Sequence, residues 1–376
     1  MNRIYLDYNA STPIALEVQG AMLPFLQEHY GNPSALHFAG IQAKSAVEKA
    51  RKQVADLLHC SSSEIIFTSG GSEANNHVLK SVFQSQKGKG KHIITTKIEH
   101  PAILNPCRYL EQQGAKVTYV DVDRYGRVDP AAIENAITDE TILITVMHSN
   151  NEVGTIQPIE EIGKIAKKHA ILFHTDASQS VGKVPIDVTR LHVDFLTVAG
   201  HKLYAPKGIG ALYIKEGIEI EPLIHGAGHE NGRRAGTENV LFTVALGEAC
   251  EIATTNTLEL IESTKILRDY FWKQLSQLSN VSVSLNGHPD YRLPNTLNVN
   301  FENRIGQDIL DALPDLAAST GSACHAGEVT LSPVLKAMSV PESVGKGAIR
   351  FSLGRYTTKD ELDTVVQCLD SYLNSN

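Results

Sequence analysis

Short apolar segments rich in β-branched residues alternate with helix-like segments from residue 63 to 215, and this alternation restricts the possible folds most strongly. The segments lie at 64–68, 92–96, 116–122, 142–148, 171–177, 194–200 and 210–214. Apolar strands separated by helices are typical of a parallel sheet that is covered on both faces. The sequence therefore predicts an α/β fold with a mostly parallel central sheet flanked by helices.

The pattern changes after a glycine-rich loop at 225–239. Long helical segments follow at about 240–278, and then come short strands and a terminal helix at 357–373. A chain of 376 residues is long enough for two hydrophobic cores. We therefore predict a large domain at 14–254 and a smaller α+β domain formed by 1–13 and 255–376, which carries Cys324.

Charge and hydropathy exclude several classes of protein. The chain has 34 Lys and Arg against 42 Asp and Glu, a formal net charge of −8, so no basic surface for nucleic acid is indicated. No apolar run approaches the roughly 20 residues that cross a bilayer. The N-terminal residues do not resemble a signal peptide, and the five cysteines form no CxxC pair. We expect a cytoplasmic protein with reduced thiols and no metal, membrane or nucleic-acid partner.

Polar residues cluster where the predicted strands end. In a doubly wound sheet, ligands bind beyond the carboxyl ends of the strands. Gly71 and Ser72 lie between a strand and a helix, where backbone N–H groups can bind phosphate, although an ordinary loop explains this segment equally well. Asp176 and Gln179 follow another strand, where a carboxylate is more often a helix cap.

Lys202 follows a third strand end, next to His201. A buried ammonium is costly unless its pKa falls or it forms a covalent imine, so we interpret Lys202 as catalytic. His100 follows a fourth strand end at the same edge. A phosphate site, a carboxylate, a flat ring and a reactive lysine are the groups needed to hold pyridoxal 5'-phosphate.

Motifs along nearly the whole chain resemble those of one family. They are YLDYNASTP, GNPS, FTSGGSEANN, EHPAIL, NNEVGTIQPI, HTDASQSVGK, GHKLYAPKGIGALY, RRAGTEN, RLPNTLN, GSAC and IRFSLGRYTT. Together they resemble the cysteine desulfurases of the class V aminotransferase group, which implies the type I fold of pyridoxal-phosphate enzymes. The related selenocysteine lyases share these motifs, and the ACH sequence at Cys324 is similar to theirs.

The resemblance implies a role for each matching residue in the cofactor site. Lys202 holds the cofactor, His100 stacks on its ring, and Asp176 pairs with the ring nitrogen. The other implied cofactor contacts are Gly71, Ser72, Asn151, Gln179, His201 and, from the second subunit of a homodimer, Thr237.

The resemblance also assigns the substrate contacts. Arg350 forks onto the substrate carboxylate, with help from Asn32 and Asn151. The alternative for Arg350 is a surface salt bridge, which we expect instead for Arg355. Ala199 stands where these families often have a serine, so one hydroxyl for the phosphate is missing.

Cys324 lies in different surroundings from the other cysteines. Its segment, STGSACHAGEVT, is small and polar and predicts a mobile loop, whereas apolar neighbours surround Cys60, Cys107, Cys250 and Cys368. The resemblance implies that Cys324 attacks the sulfur of L-cysteine, with Lys202 and His100 moving protons. L-Alanine is then released, and the persulfide on Cys324 passes to a sulfur-acceptor protein for iron–sulfur cluster or thio-cofactor assembly.

Two other functions remain open at this point. A selenocysteine lyase would take L-selenocysteine and release selenium and alanine; ACH favours it, but Pro101 follows His100 where those lyases carry an acidic residue. A catalytically silent scaffold for sulfur trafficking would have lost Lys202 or Cys324, and the chain has both. The products formed from the two amino acids distinguish these functions.

Overall fold

The computed structural model describes residues 3–321, 324–325 and 328–375. The strands, in chain order, are β1 (Ile4–Tyr5), β2 (Ile65–Thr68), β3 (His92–Thr96), β4 (Lys116–Val120), β5 (Thr141–Thr145), β6 (Leu172–Asp176), β7 (Phe195–Ala199), β8 (Gly210–Ile214), β9 (Val283–Asn286), β10 (Thr296–Phe301), β11 (Leu316–Ala317), β12 (Cys324–His325), β13 (Glu328–Val329) and β14 (Ala348–Ser352). The α-helices are α1 (Leu16–Gln27), α2 (Phe38–Leu58), α3 (Gly71–Ser85), α4 (Pro101–Gln112), α5 (Pro130–Asn135), α6 (Ile159–Lys168), α7 (Val188–Leu191), α8 (Val240–Leu275), α9 (Gly306–Asp311), α10 (Pro333–Ala337), α11 (Glu342–Gly345) and α12 (Lys359–Ser375).

The strands predicted between 63 and 215 form one sheet. Its order is β2-β8-β7-β6-β5-β3-β4. Strands β7, β6, β5, β3 and β4 are parallel, whereas β8 runs antiparallel to β2 and β7. The prediction of a mostly parallel α/β sheet is confirmed. Because parallel strands share a direction, β3, β6 and β7 end at the same edge of the sheet.

The central strands are buried on both faces. Ile94, Ile144 and Phe173 belong to the core on one face, together with side chains of α2 and α8. Their neighbours Ile93 and Leu143 belong to the core on the other face, together with side chains of α3 and α4. Burial on both faces explains why these strands are continuously apolar instead of alternating.

A second core surrounds the antiparallel sheet β14-β10-β9. Phe271 and Phe351 meet there edge to face, with ring centroids 5.2 Å apart. Strand β1 pairs with β11, and Ile4 and Leu6 pack into the same core. Helix α8 is 36 residues long and contributes to both cores. It crosses residue 254, where the domain boundary stays a prediction.

Two helices have bounds that differ from the sequence pattern. The amphipathic pattern of residues 42–58 predicts a helix that begins at Gln42, whereas helix α2 begins at Phe38. The segment at 240–278 forms one continuous helix, α8, which ends at Leu275. In the ranges that the structure describes, no helix has both the length and the apolar character to cross a membrane.

Helices α2 and α8 approach closely at Gly247. A Cβ atom at this position would lie 2.6 Å from the Cα atom of Ala50, well inside van der Waals contact. The exposed Gly20 in α1 differs, because a Cβ there would meet no described atom within 4 Å.

Gly247→Ala is expected to lower the midpoint of urea unfolding, followed by circular dichroism. Overpacking costs about 1–3 kcal/mol, which exceeds the roughly 1 kcal/mol gained from the helix propensity of alanine. Gly20→Ala is the matched control and is expected to raise the midpoint, because only the propensity changes there. Shifts of the same sign in both variants would contradict the close packing of α2 on α8.

Candidate active site

A cleft of about 580 Å³ lies at the carboxyl edge of the large sheet. Among its lining residues are most of the predicted site residues: Gly71, Ser72, His100, Asn151, Asp176, Gln179, His201, Lys202 and Arg350. Strands β3, β6 and β7 end here: Asp176 is the last residue of β6, and His100, His201 and Lys202 lie within four residues of the ends of β3 and β7. The topology of the sheet therefore brings together positions that are up to about 280 residues apart in the sequence (350 against 71).

Lys202 ends a single turn of 3-10 helix, Gly200–Lys202, that follows β7. Its Nζ donates hydrogen bonds to the backbone carbonyls of Asn9 at 2.6 Å and Ala10 at 2.8 Å. Burial, aided by the positive charge of Arg350, lowers the pKa of Lys202 to about 8, while nearby carboxylates oppose the shift. The amine is therefore partly neutral near pH 7 and can act as a nucleophile or a base.

Asp176 is held in one orientation at the end of β6. One carboxylate oxygen accepts from Asn75 Nδ2 at 2.7 Å. The other accepts from the backbone N–H of Ser178 at 3.0 Å and from its hydroxyl at 2.5 Å. In the described part of the chain, the Asn75 side-chain oxygen is buried without a hydrogen-bond partner. The carboxylate can therefore serve a ligand in the cleft without reorienting.

The first turn of α3 forms a cradle next to Asp176. Gly70 precedes it with φ +145°, which a residue with a side chain rarely adopts. A Cβ at Gly71 would lie 3.0 Å from the Ser178 hydroxyl, which is closer than most Cβ contacts in proteins, so a side chain there would crowd Ser178. The first N–H groups of a helix have no partner within the helix and favour anions. The Ser178 hydroxyl and Ala199 both lie near Gly71, but the hydroxyl already donates to Asp176 and so does not replace the serine expected at 199.

Two histidines, His100 and His201, line the cleft. His100 is the N-cap of α4, and its Nδ1 accepts from the backbone N–H of Ala102 at 3.1 Å, so its Nε2 carries the proton when the ring is neutral. Burial lowers the pKa of His100, with Asp176 opposing and Lys202 adding to the shift. Burial and the charge of Lys202 also lower the pKa of His201, to about 4. Both rings are therefore neutral at pH 7.

Arg350 in β14 is buried rather than placed in a surface salt bridge. Its guanidinium donates to the Asp7 carboxylate at 2.6 Å and to the Asn151 carbonyl at 3.0 Å. Its Nε is buried and has no hydrogen-bond partner among the described residues. Arg355 forms the expected peripheral bridge, to Glu17 at 2.5 Å. Of Arg350 and Arg355, only Arg350 therefore has N–H groups that line the cleft.

The sequence analysis did not identify three residues of this site. The Asn9 carbonyl accepts hydrogen bonds from Lys202 Nζ and, at 2.9 Å, from Gln179 Nε2. Lys183 donates to Gln179 Oε1 at 2.8 Å. Glu99 is buried behind His100, and burial raises its pKa to about 8. The quoted motifs contain all three residues, but only their position within those motifs could have marked them.

Three predicted residues lie outside the cleft or outside the described side chains. Asn32 is exposed, and its side-chain oxygen accepts from the backbone N–H of Ser34 at 2.9 Å in a local turn. Thr237 is exposed as well. The backbone of Cys324 lies in β12 and pairs with Val329 in β13; its side chain lies outside the described part, so the predicted mobile loop stays a prediction.

The glycine-rich loop that contains Thr237 is tied down by two ion pairs. Arg51 forks onto Glu230, with N–O distances of 2.6 Å and 3.0 Å. Arg234 forks onto Glu73 of α3 at 2.9 Å and 3.2 Å. All four side chains are largely buried, so these bridges hold more firmly than exposed ones. The loop is thereby fixed to the helix that forms the cradle.

Comparison with known proteins places this chain among well-described relatives. The family model "Aminotransferase class-V" matches residues 4–365. The cysteine desulfurase IscS of Dictyoglomus turgidum is 48% identical over 369 residues, covering 98% of this chain and 93% of that protein. Cysteine desulfurase 2 of Trichormus variabilis is 50% identical over 372 residues, covering 98% and 92%.

Solved structures of similar proteins cover nearly the whole chain as well. A NifS-like protein superposes with a TM-score of 0.94 at 38% identity and covers 100% of both chains. A structure described as "SspA in complex with cysteine" has a TM-score of 0.81 at 40% identity and covers 94% of this chain and 99% of that one.

Without added ligand, acetylation of Lys202 by acetic anhydride is expected to rise through a midpoint near pH 8. An unperturbed lysine has its midpoint near 10.4, and the neutral amine is the reactive form. Quantitative peptide mass spectrometry over a pH series measures this midpoint. Arg350→Met should raise it because a positive charge is lost, and Asp7→Asn should lower it because a negative charge is lost. Shifts of equal sign in the two variants would refute this electrostatic account.

Proposed function

The chain belongs to the cysteine desulfurases of the class-V aminotransferase family, and we propose that it converts L-cysteine to L-alanine with pyridoxal 5'-phosphate and transfers the sulfur to Cys324. One observation carries this proposal: Lys202, Asp176 and the first turn of α3 line one cleft. An amine of lowered pKa, a fixed carboxylate and helix N–H groups match the aldehyde, ring nitrogen and phosphate of that cofactor. The residues present therefore fit the group.

Each cleft residue then has a proposed contact with the cofactor. Lys202 would bind the aldehyde, Asp176 the ring nitrogen, and His100 the face of the ring. The phosphate contacts would be Gly71, Ser72 and His201, and the contacts near the ring oxygen would be Gln179 and Asn151. When bound, the cofactor supplies an electron-withdrawing ring that stabilises negative charge at the substrate's α-carbon.

The protein's own residues would handle the substrate and its protons. Arg350 would bind the substrate carboxylate through its fork of N–H groups, and Lys202 would remove the α-proton. The Cys324 thiolate would attack the substrate sulfur. The carbon–sulfur bond then breaks and a sulfur–sulfur bond forms on Cys324. Alanine leaves after its β-carbon receives a proton carried by His100 and its α-carbon regains one from Lys202. A sulfur-acceptor protein, in iron–sulfur cluster or thio-cofactor assembly, would finally take the sulfur.

Three of the other thiols that the structure describes are poorly suited to this attack. Burial raises the pKa of Cys60 and of Cys107 to about 12. Burial also raises the pKa of Cys250. A thiol must be deprotonated to act as a nucleophile, so these three are inert at pH 7. This finding supports the assignment of Cys324.

A homodimer is proposed because large apolar side chains are exposed near the N-terminus. Exposed residues between 16 and 41 are Leu16, Leu23, Leu26, Tyr30, Leu36, Phe38 and Ile41, with exposures from 51% to 94%. A concentration of apolar surface of this kind is typical of a protein–protein interface. The exposed Thr237 would then complete the phosphate site of the partner subunit, which agrees with its absence from its own cleft.

Cys324→Ala is expected to keep the visible absorbance of the bound cofactor and the spectral change on adding L-cysteine. Both depend on Lys202, Asp176 and Arg350, which are unchanged. Formation of alanine from L-cysteine should fall to background, because none of Cys60, Cys107, Cys250 and Cys368 lines the cleft. Absorbance spectra and an amino-acid assay measure the two properties separately.

Cys60→Ala is the matched control and should react like the unsubstituted protein, because its thiol stays protonated. Mass spectrometry after treatment with L-cysteine should show one added sulfur on the peptide that contains Cys324. Sulfur on another cysteine, or unchanged alanine formation by Cys324→Ala, would show the assignment to be wrong. A parallel assay with L-selenocysteine decides between desulfurase and lyase, since a lyase would strongly prefer that substrate.

Thr237→Ala is expected to weaken cofactor binding by about tenfold, since one hydrogen bond to phosphate is worth about 1–1.5 kcal/mol. Co-expression of the Thr237→Ala and Lys202→Ala chains gives mixed dimers with one protomer of each variant. These dimers test whether Thr237 acts across the dimer. In the mixed dimer, the protomer with intact Lys202 receives Thr237 from its partner, so this one site should bind the cofactor with unreduced affinity. Equilibrium titration of purified mixed dimers measures this; weakened binding at that site would mean that Thr237 acts within its own chain.

A further inference from the structure

A second lysine, Lys183, stands directly behind the cleft. It lies in the turn that follows β6, where its backbone N–H donates to the Ser180 carbonyl at 2.9 Å. Gly182 precedes it with φ +75°, and a Cβ there would lie 2.0 Å from Leu203 Cδ1. A residue other than glycine at 182 is therefore strained and crowded, and the turn fixes where Lys183 emerges.

The Lys183 amine contacts only neutral oxygens among its described hydrogen-bond partners. Its Nζ donates to Gln179 Oε1 at 2.8 Å and to Asn9 Oδ1 at 3.2 Å. Burial and the positive charges of Lys202 and Arg350 lower its pKa well below the usual range. A neutral amine still carries two N–H bonds, so Lys183 can donate to both oxygens in either protonation state.

This contact determines which way the Gln179 amide points. A side-chain amide has one accepting oxygen and one donating nitrogen, and the two ends can exchange by rotation. With Oε1 held by Lys183, the nitrogen faces the Asn9 carbonyl at 2.9 Å. Gln179 also lines the cleft, so its second N–H remains for a ligand. Rotation of the amide would set Oε1 against the Asn9 carbonyl, which can only accept, and would turn the amide N–H groups toward the N–H groups of Lys183.

Hydrogen bonds also connect Lys183 to Lys202 by way of Asn9. The Asn9 carbonyl accepts from Gln179 Nε2 and from Lys202 Nζ, and the Asn9 side-chain oxygen accepts from Lys183. The four residues thus form one continuous hydrogen-bonded group. Asn9 keeps its hydrogen bonds to Thr296 and Asn295 when Lys183 is lost, so Gln179 is the member of this group that depends on Lys183.

We propose that Lys183 is a positioning residue that keeps an N–H of Gln179 directed at the ring-oxygen side of the cofactor. The inference rests on the proposed binding of pyridoxal 5'-phosphate in this cleft. A donor on that side stabilises negative charge on the ring oxygen and so sets the electronic state of the bound cofactor. Lys183 touches neither cofactor nor substrate and acts through Gln179.

Reconstitution of ligand-free protein with pyridoxal 5'-phosphate tests the inference by two readouts, the ratio of the visible absorption bands and the dissociation constant of the cofactor. Lys183→Met keeps the side-chain length and removes the donor. It should change the band ratio in the same direction as Gln179→Ala and weaken binding about threefold to tenfold, the value of one hydrogen bond. The double variant should be no further changed than Gln179→Ala alone, because Lys183 acts through that amide.

Controls separate positioning from folding and from the proposed function. Lys164→Met removes a lysine from the exposed surface of α6 and should leave the bands and the affinity unchanged. If Lys183→Met does not fold, Lys183→Gln takes its place, because glutamine can accept as well as donate and no longer dictates the orientation of Gln179. Unchanged bands and affinity in the Lys183 variant, or additive changes in the double variant, would overturn the inference. Unsubstituted protein that binds no cofactor would instead overturn the proposed function.

Discussion

The geometry of the active site depends on one buried asparagine near the start of the chain. Asn9 is 1% exposed, and its carbonyl accepts from Lys202 and Gln179 at the edge of the large sheet. Its side chain exchanges hydrogen bonds with Thr296 and Asn295 of the second unit. Buried polar groups whose hydrogen bonds are all made are costly to displace. Lys202 therefore takes its position from both cores, although it belongs to only one of them.

The pKa of Lys202 is set mainly by burial, because the charged groups around it oppose one another. Burial and Arg350 lower its pKa, while Asp7 and Asp176 raise it, and the result is about 8. Arg350 and Asp7 are themselves paired at 2.6 Å, so their effects on Lys202 largely cancel and burial dominates. An amine with a pKa close to neutrality can both lose and regain a proton at pH 7. This property suits a group that is proposed to bind a cofactor and to carry a proton.

The fold and the rim of the cleft could be predicted from local patterns, whereas the network behind the cleft could not. His100, Asp176 and Lys202 each lie at or just after the end of a strand, and parallel strands that share an edge must bring such residues together. Asn9 meets Gln179 across 170 positions, a separation that no periodicity reports. Lys183 sits in the predicted motif, but only the left-handed turn before it directs its amine at the Gln179 amide. The sequence pattern locates strand ends; it does not specify the contacts made behind them.

The glycine-rich loop before α8 connects each cradle to the outside of its own protomer. Arg234 joins this loop to Glu73 in the first turn of α3. Glu230, whose backbone has a left-handed φ of 49°, holds the loop through its ion pair with Arg51. Breaking a buried ion pair leaves an uncompensated charge and costs about 3–5 kcal/mol, so the loop keeps one conformation. The exposed Thr237 is thus held rigidly relative to the cradle of its own chain. In the proposed dimer, the loop that would serve one phosphate site is therefore fixed to the helix that forms the other.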